Sequence, residues 1–331
     1  MGDAAGVGPE IVVKALESME IRQQCHPIVI GDRRIMEAAV KRFGSSQQRI
    51  HAVQDVGEAR WHDNTVEVLD LSNLSPADFE LGKISAACGE AFVTYIRTSA
   101  RLALEGRIDA IASAPTNKEA MHAAGHHYPG QTEIFAEETG STDFFTVLTG
   151  GKMRVFLLSS HVSLRRAIEM VTQERVERVI RRTQQSLHDL WGIDQPKIAV
   201  AGLNPHAGDG GLFGQEEIEH VIPVIERLRA EGFDITGPGS ADSLYNQADQ
   251  GVFDGIVGMY HDQGVIPLKR YGYVTVIAGT PIIRTTAGHG TAYDIAGKGI
   301  ASPAVMERAI LLAGELAGRR SGAARSYANG L

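Results

Sequence analysis

Short apolar runs alternate with longer segments of helical periodicity along most of the chain. The runs are typical of buried strands, whereas apolar residues spaced three and four apart predict amphipathic helices. Strands are predicted at 27–30, 66–69, 108–112, 146–148, 154–158, 198–202, 233–235 and 255–258. Helices are predicted at 33–43, 85–104, 173–190, 215–231 and 304–317. This alternation of strand and helix predicts a mostly parallel sheet with helices packed against it.

The length of the chain allows more than one folding unit. With 331 residues, of which 43% are hydrophobic, it can bury a large core, and two domains or one large α/β unit are expected. We predict a two-lobed α/β/α protein. Residues 1–118 and 290–331 would form the first lobe, and residues 119–289 the second. A glycine-rich turn at 150–152 predicts a hairpin between two strands of the second lobe.

Composition narrows the possible partners. The formal net charge is −8 and no basic stripe is visible, which argues against nucleic acid as a partner. No apolar run approaches the length of a membrane span, and no signal-peptide pattern opens the sequence. The cysteines, Cys25 and Cys88, have neither a metal-binding nor a redox spacing, which fits a reducing compartment. We therefore expect a cytoplasmic protein that acts on a small molecule, without membrane or nucleic acid.

Three histidines follow predicted strands. They are His161 after the strand at 154–158, His206 after the strand at 198–202 and His261 after the strand at 255–258. Ligands of open α/β sheets collect at the carboxyl ends of strands, and three imidazoles can bind a divalent metal while leaving a coordination position open. One such histidine is more often structural, but three in the same context favour a metal. His126 and His127 are predicted to be loop residues rather than ligands.

Several groups are suited to an anion. Ser113–Lys118 presents hydroxyl, amide and ammonium groups after a strand, which suits a phosphate or, equally, a helix cap. Arg284 follows an apolar run, and its planar fork matches a phosphate or carboxylate. Lys269 lies one or two helical turns beyond His261. Further on, His289–Asp294 combines small residues with a carboxylate, where a flat ring or a ribose could approach.

Five segments resemble, in chain order, the 4-hydroxythreonine-4-phosphate dehydrogenase family of vitamin B6 biosynthesis. They are GDAAGVGPE, APTNKEAMHAAG, NPHAG, YHDQGVIPLK and IRT-x3-HGTAYDIAGKG. The resemblance covers nearly the whole chain and implies a fold related to the isocitrate and isopropylmalate dehydrogenases. The activity that it implies is NAD- and divalent-metal-dependent oxidation of 4-phosphohydroxy-L-threonine, followed by decarboxylation of the 3-oxo acid.

The resemblance also implies roles for individual residues. The divalent metal (Zn, Mg, Mn or Co) would be bound by His161, His206 and His261, with His261 supplied by the other subunit of a homodimer whose active site is shared. Catalysis would depend on these histidines and Lys269. The substrate would contact Gln131, Thr132, Lys269, Thr275 and Arg284. The cofactor NAD would contact His289, Gly290, Thr291 and Asp294.

Two positions depart from the family pattern and leave the substrate open. The family has a histidine at the position of Gln131 and an asparagine at the position of Thr275. An amide can donate a hydrogen bond but cannot act as an imidazolium or carry a proton. The alternative is a D-threonate or D-erythronate 4-phosphate dehydrogenase of sugar-acid catabolism. A diol dehydrogenase acting on a ring dicarboxylate comes third, because it is expected to lack Arg284.

Two further classes of protein fit some of the same residues. A metal-dependent hydrolase or phosphatase is possible because an open three-histidine site suits water activation equally well. The second class is a non-catalytic protein that binds a phosphate or a sugar acid, in which Gln131 and Thr275 would be signs of lost catalysis.

Overall fold

The computed structural model describes residues 1–328, with side chains described through Arg320. Its strands are β1 Ile28–Gly31, β2 Arg49–Val53, β3 Thr65–Asp70, β4 Ile111–Ser113, β5 Phe145–Gly150, β6 Met153–Leu157, β7 Ile198–Ala201, β8 Ile235–Gly239, β9 Gly255–Gly258, β10 Val274–Ala278 and β11 Arg284–Ala287. Its α-helices are α1 Gly8–Ala15, α2 Met19–Gln24, α3 Arg33–Phe43, α4 Ala86–Leu104, α5 Lys118–Ala123, α6 Gln131–Glu138, α7 Leu164–Glu169, α8 Gln173–Trp191, α9 Ile222–Ala230, α10 Ala241–Gln250, α11 His261–Lys269 and α12 Ala304–Ala328.

Short polar side chains define where several helices begin. Asp32 accepts a hydrogen bond from a backbone N–H of the first turn of α3, and Ser85 and Thr172 do the same for α4 and α8. Such caps satisfy N–H groups that have no partner within the helix. Helix α8 then buries Val176 and Ile180 at a spacing of one turn, and its arginines and glutamates lie mainly on the opposite side.

The first of two compact units comprises Met1–Phe144 and Gly279–Ala317. Its three-stranded sheet has the order β1-β3-β2, and both pairings are parallel. A separate parallel pairing joins β11 to β4, with Arg284 opposite Ile111. The apolar core of this unit includes Ile11 of α1, Met36 of α3 and Val68 of β3.

The second unit comprises Phe145–Ala278 and the described residues from Gly318 onward. Its strands follow the order β10-β5-β6-β9-β7-β8. β5 and β6 form the predicted antiparallel hairpin, and β10 is antiparallel to β5. The strands β6, β9, β7 and β8 are parallel, so their carboxyl ends lie at the same edge of the sheet. Val155, Ala199 and Ile256 contribute to the core beneath them.

The mixed α/β fold with a mostly parallel sheet is confirmed, but several details differ from the sequence prediction. Strands β2 and β10 were not predicted. The unit borders fall after Phe144 and Ala278 rather than after 118 and 289, because α6 packs on α4 and β11 pairs with β4. Arg284, which follows the apolar run noted in the sequence, is the first residue of strand β11. Among the helices of residues 1–328, none combines the length and hydropathy needed to cross a membrane.

Candidate active site

The three predicted histidines lie beyond neighbouring strand ends in the second unit. Strand β9 pairs in parallel with β6 on one side and with β7 on the other. His161 follows β6, His206 follows β7, and His261 is the first residue of α11 directly after β9. The carboxyl ends of adjacent parallel strands are where open α/β sheets bind ligands. The topology thus places all three histidines at the edge of the sheet where a ligand is expected.

Two of these imidazoles lie close together. The ring centroids of His161 and His261 are 5.5 Å apart, with an angle of 42° between the planes. The Nδ1 atom of His261 lies 2.7 Å from Oδ1 of Asp262. A carboxylate at Nδ1 holds the proton there, which orients the ring and leaves the lone pair of Nε2 for a metal. The two rings belong to the same chain, and a His261 donated by a second subunit stays a prediction.

His206 lies in a left-handed segment of backbone. The φ angles of His206, Ala207 and Asp209 are 52°, 55° and 46°, a conformation that costs a non-glycine residue about 1–3 kcal/mol. Buried Glu217 holds the start of this segment, because its Oε1 accepts from the N–H of Asn204 at 2.8 Å and its Oε2 from Nδ2 of Asn204 at 2.9 Å. Strain that is held in place by such bonds is a feature of functional loops.

The described residues hold no group of three or more His, Cys, Asp or Glu side chains that could bind a metal ion. The chain by itself therefore brings His161 and His261 together, and His206 is not part of that pair. The other histidine-rich segment is engaged locally. The Nε2 atom of His126 lies 2.8 Å from a carboxylate oxygen of Glu90, as suits a loop residue.

Arg284 forms a buried cationic centre in the first unit. It is 1% exposed, and its Nε donates to Oγ of Ser113 at 3.1 Å. Its Nη1 lies 3.5 Å from Oγ1 of Thr132, and the guanidinium stands 5.2 Å over the ring of Phe135. Nη2 has no hydrogen-bond partner. Burial lowers the pKa of Arg284 to about 9. Because a buried charge is costly without a counter-charge, this arrangement is suited to an anion.

Gln131 lies beside this cationic centre at the start of α6. Its Nε2 lies 3.5 Å from Oγ1 of Thr286, and Thr286 in turn donates to the carbonyl of Ser113 at 2.9 Å. Because the Thr286 hydroxyl donates to Ser113, its oxygen is available as an acceptor for the Gln131 amide nitrogen. Oε1 of Gln131 is then a buried acceptor without a partner. The preceding Gly130 caps α6 without a side-chain hydrogen bond, so no cap side chain occupies the first-turn N–H groups of the helix that carries Gln131 and Thr132.

The remaining predicted substrate residues lie in the second unit. Lys269 is the last residue of α11, is exposed, and has its Nζ 5.3 Å from the ring centroid of Tyr273. Thr275 lies in β10, opposite Leu148 of β5. Ser113 and Phe135 were not singled out as partners of Arg284, nor Thr286 as a partner of Gln131, although Ser113 belongs to the segment predicted for an anion. Asn117 of the same segment caps α5, because its side chain accepts a hydrogen bond from the N–H of Ala120. The helix cap that was predicted as an alternative for this segment is therefore present.

The predicted NAD residues occupy a loop of the first unit. His289 and Gly290 are exposed, and a Cβ added to Gly290 would meet no atom within 4 Å, so a ligand can approach the backbone there. Thr291 is buried, and its carbonyl accepts from the N–H of Val7 at 2.9 Å. Asp294 is exposed within the short 3-10 turn Tyr293–Ile295.

A hydrogen-bonded pair that sequence reasoning missed, buried Asp3 and half-buried Tyr293, supports this loop. The hydroxyl of Tyr293 donates to Oδ2 of Asp3 at 2.6 Å, and Oδ1 of Asp3 accepts from the N–H of Ala5 at 2.9 Å. Asp3 is fully buried, and this burial raises the pKa of its carboxyl. The sequence signal for it was Asp3, a carboxylate among the small residues that open the GDAAGVGPE segment. The pair joins that segment to the 289–294 loop.

Comparisons with known proteins identify the family of this chain. A family model described as "Pyridoxal phosphate biosynthetic protein PdxA" matches residues 23–313. The chain belongs to this family. The D-threonate 4-phosphate dehydrogenase of Cupriavidus necator is 45% identical over 97% of each chain. The 4-hydroxythreonine-4-phosphate dehydrogenase of Trichlorobacter lovleyi is 43% identical over 97% of each chain. The crystal structure of 4-hydroxythreonine-4-phosphate dehydrogenase from Klebsiella pneumoniae is 41% identical, covers 96% of each chain and superimposes with a TM-score of 0.87.

The anion-binding capacity of the Arg284 centre can be tested with inorganic phosphate. Inorganic phosphate should raise the Tm of the protein by a few degrees, because a ligand at about 100 times its Kd stabilises the folded state by about 2.7 kcal/mol. The measurement is a thermal melt with sodium phosphate against sodium chloride at equal ionic strength. Equal Tm values in the two salts would contradict an anion site at Arg284. So would a phosphate-induced rise in Tm that is as large in Arg284→Met as in the wild type.

Proposed function

We propose that this chain is a NAD- and divalent-metal-dependent dehydrogenase that oxidises a four-carbon hydroxy acid phosphorylated at its far end. The first candidate substrate is 4-phosphohydroxy-L-threonine. Its C3 alcohol would give up a hydride to NAD⁺ and a proton to water, and the 3-oxo acid would then lose carbon dioxide and take up a proton. The observation that carries the proposal is buried Arg284, whose Nη2 lacks a partner beside Thr132 and the start of α6.

Arg284 and its neighbours would bind the phosphate. The guanidinium offers two N–H directions to oxygens, and the hydroxyls of Ser113 and Thr132 already orient it. Binding energy from this remote group would orient the reacting carbon, which raises the rate of the chemical step. Lys269, with its exposed ammonium, would contribute a second positive charge to substrate binding.

The donor set of the second unit fits a divalent metal in part. His161 and His206 would hold it together with His261 supplied by the second subunit of a homodimer, and Asp262 would keep the tautomer of His261 fixed. When bound, such a metal lowers the pKa of an alcohol and stabilises negative charge on its oxygen.

The 289–294 loop fits a dinucleotide. Gly290 has open space on its Cβ side, exposed Asp294 can accept hydrogen bonds from ribose hydroxyls, and the Asp3–Tyr293 bond holds the loop from below. NAD, when bound, supplies the hydride acceptor. The residues of the loop would orient it.

D-Threonate 4-phosphate is the second candidate substrate. It carries a hydroxyl where the amino acid has an ammonium, and the neutral amide of Gln131 can form hydrogen bonds with either group. A relative 45% identical to this chain carries the name of that activity.

We also propose that the active protein is a homodimer. Apolar side chains next to two of the histidines are exposed to solvent, among them Leu164 at 58% and Leu212 at 72%. Phe213 is half exposed and its ring lies 6.5 Å from that of His206. Exposed apolar side chains grouped next to a functional site are typical of a protein interface. A second copy of the chain covering them would also reach the histidines.

The proposed function is tested by NADH formation with added Mn²⁺. Both candidate substrates are offered separately, and release of carbon dioxide and of inorganic phosphate is followed in parallel. We expect NADH and carbon dioxide in equal amounts, with the better substrate identified by its kcat/KM. Phosphate release without NADH would instead identify a phosphatase. Binding of both acids without turnover would identify a non-catalytic binding protein.

A further inference from the structure

Gln263 connects two of the histidine-bearing strand ends in the second unit. It is the third residue of α11, and its Oε1 accepts from the N–H of Met259 at 2.7 Å while its Nε2 donates to the carbonyl of Gly202 at 2.8 Å. Met259 follows β9 and Gly202 follows β7. One side-chain amide therefore joins the segment before His261 to the segment before His206.

This connection lies beyond the point where the two strands pair through their backbones. The register of β7 with β9 ends with Val200 opposite Val257. Further along, the N–H of Gly202 bonds to Gly239 of β8 instead. The amide of Gln263 thus supplies a hydrogen-bonded link between the β7 and β9 segments where their ladder has ended.

The chemistry of the link demands an amide. The Met259 N–H can only donate and the Gly202 carbonyl can only accept, so the side chain between them needs one acceptor and one donor. Glutamine meets this requirement in a single orientation. An ionised glutamate would turn two acceptors toward the site and face the Gly202 carbonyl with negative charge, and methionine would leave both backbone groups without this partner.

The carbonyl of Met259 is held as well. Ser159 is 2% exposed and its Oγ donates to this carbonyl at 2.9 Å. Ser159 lies two residues before His161. Since the N–H of Met259 is bonded to Gln263, side chains hold both polar backbone groups of one buried residue. The segments that carry the three histidines are cross-linked through Met259.

We propose that Gln263 is a positioning residue for the metal-binding histidines, holding the turn at His261 and the loop of His206 at a fixed spacing. The inference rests on the proposed function, because the metal role of the histidines belongs to it. Both hydrogen bonds of Gln263 end on backbone atoms of the segments before His206 and His261. Its effect on a bound metal therefore acts through the positions of these histidines. Residues that orient metal ligands in this way typically change metal affinity by about 10–100-fold when they are replaced.

The test compares Gln263→Glu with Gln247→Glu, the same chemical change on the exposed side of α10. Calorimetric titration of the metal-free protein with Mn²⁺ measures affinity, and hydrogen–deuterium exchange of residues 203–211 measures order in the His206 loop without any metal. For Gln263→Glu we expect a Mn²⁺ Kd weakened by about 10–100-fold, together with faster exchange in the loop. The Gln247 variant should match the wild type in both measurements.

Unchanged affinity and unchanged exchange in Gln263→Glu would overturn the proposal. Faster exchange with unchanged affinity would also overturn it, because the link would then be structural alone. A wild-type protein that binds no Mn²⁺ would refute the metal part of the proposed function, and loop exchange in the variant would still decide whether Gln263 orders the loop. Should Gln263→Glu fail to fold, Gln263→Met, which adds no charge, replaces it with the same expectations.

Discussion

Replacing Arg284 with methionine should lower kcat/KM for the phosphorylated substrate by about 10²- to 10⁴-fold. Removing one partner of a buried ion pair costs about 3–5 kcal/mol, and each 1.36 kcal/mol corresponds to about tenfold in rate. The measurement is steady-state NADH formation over a range of substrate concentrations. Most of the loss should persist in Arg284→Lys, because an ammonium cannot reproduce the planar fork that Ser113 and Thr132 orient.

The same variant should be at least as stable as the wild type when no anion is present. Arg284 is buried with hydroxyl partners and an unpartnered Nη2, and burial lowers its pKa from its usual value to about 9. Above about pH 9 the unfolded chain therefore binds more protons than the folded one, so wild-type stability should rise with pH there. Below about pH 9 Arg284 is charged in the folded and the unfolded state, and the folded wild type carries the full free-energy cost of burying that charge. Chemical denaturation at neutral pH and above pH 9 would measure the free energy of unfolding, and the gap between variant and wild type should narrow at the higher pH.

A control variant separates these effects from general damage to the protein. Arg60→Met removes an exposed arginine of the first unit and should leave both kcat/KM and stability unchanged. Normal kcat/KM in Arg284→Met would show that the phosphate binds elsewhere. Marked destabilisation of the anion-free variant would show that Arg284 holds the fold together.

Replacing His261 with alanine should abolish stable metal binding and lower kcat by at least about 10³-fold, since a Lewis-acid metal contributes several kcal/mol to stabilising transition-state charge. His261 forms the close pair with His161 and is oriented by Asp262. Metal content after dialysis and NADH formation at saturating Mn²⁺ provide the two measurements. NAD affinity should be unchanged, because His261 is not among the residues that we propose to contact NAD.

His188→Ala is the matched control. His188 is an exposed histidine of α8 that also contacts a neighbouring aspartate, with its Nδ1 2.9 Å from Oδ1 of Asp189. Its removal should leave metal content and turnover as in the wild type. Full metal content and normal turnover in His261→Ala would rule out His261 as a ligand.

Much of the fold was predictable because it depends on local pattern. The hairpin at 150–152 and the helix at 33–43 follow from turn chemistry and apolar spacing, and both were placed correctly. Strand β2 was missed because only Val53 in it is fully buried, so its apolar signal is weak. Strand β10 was missed although it is largely buried and its apolar run is like those that were predicted as strands.

The sequence by itself determined the α/β class, the strand-end position of the three histidines and the family to which the chain belongs. These follow from residue order and apolar spacing, which are local properties. Only the tertiary structure decided that β6, β9 and β7 lie side by side, that Arg284 is buried with an unpartnered nitrogen, and that Gln263 joins two strand ends. Strand order, burial and hydrogen bonding between distant residues depend on long-range packing, which the periodicity of one segment does not encode.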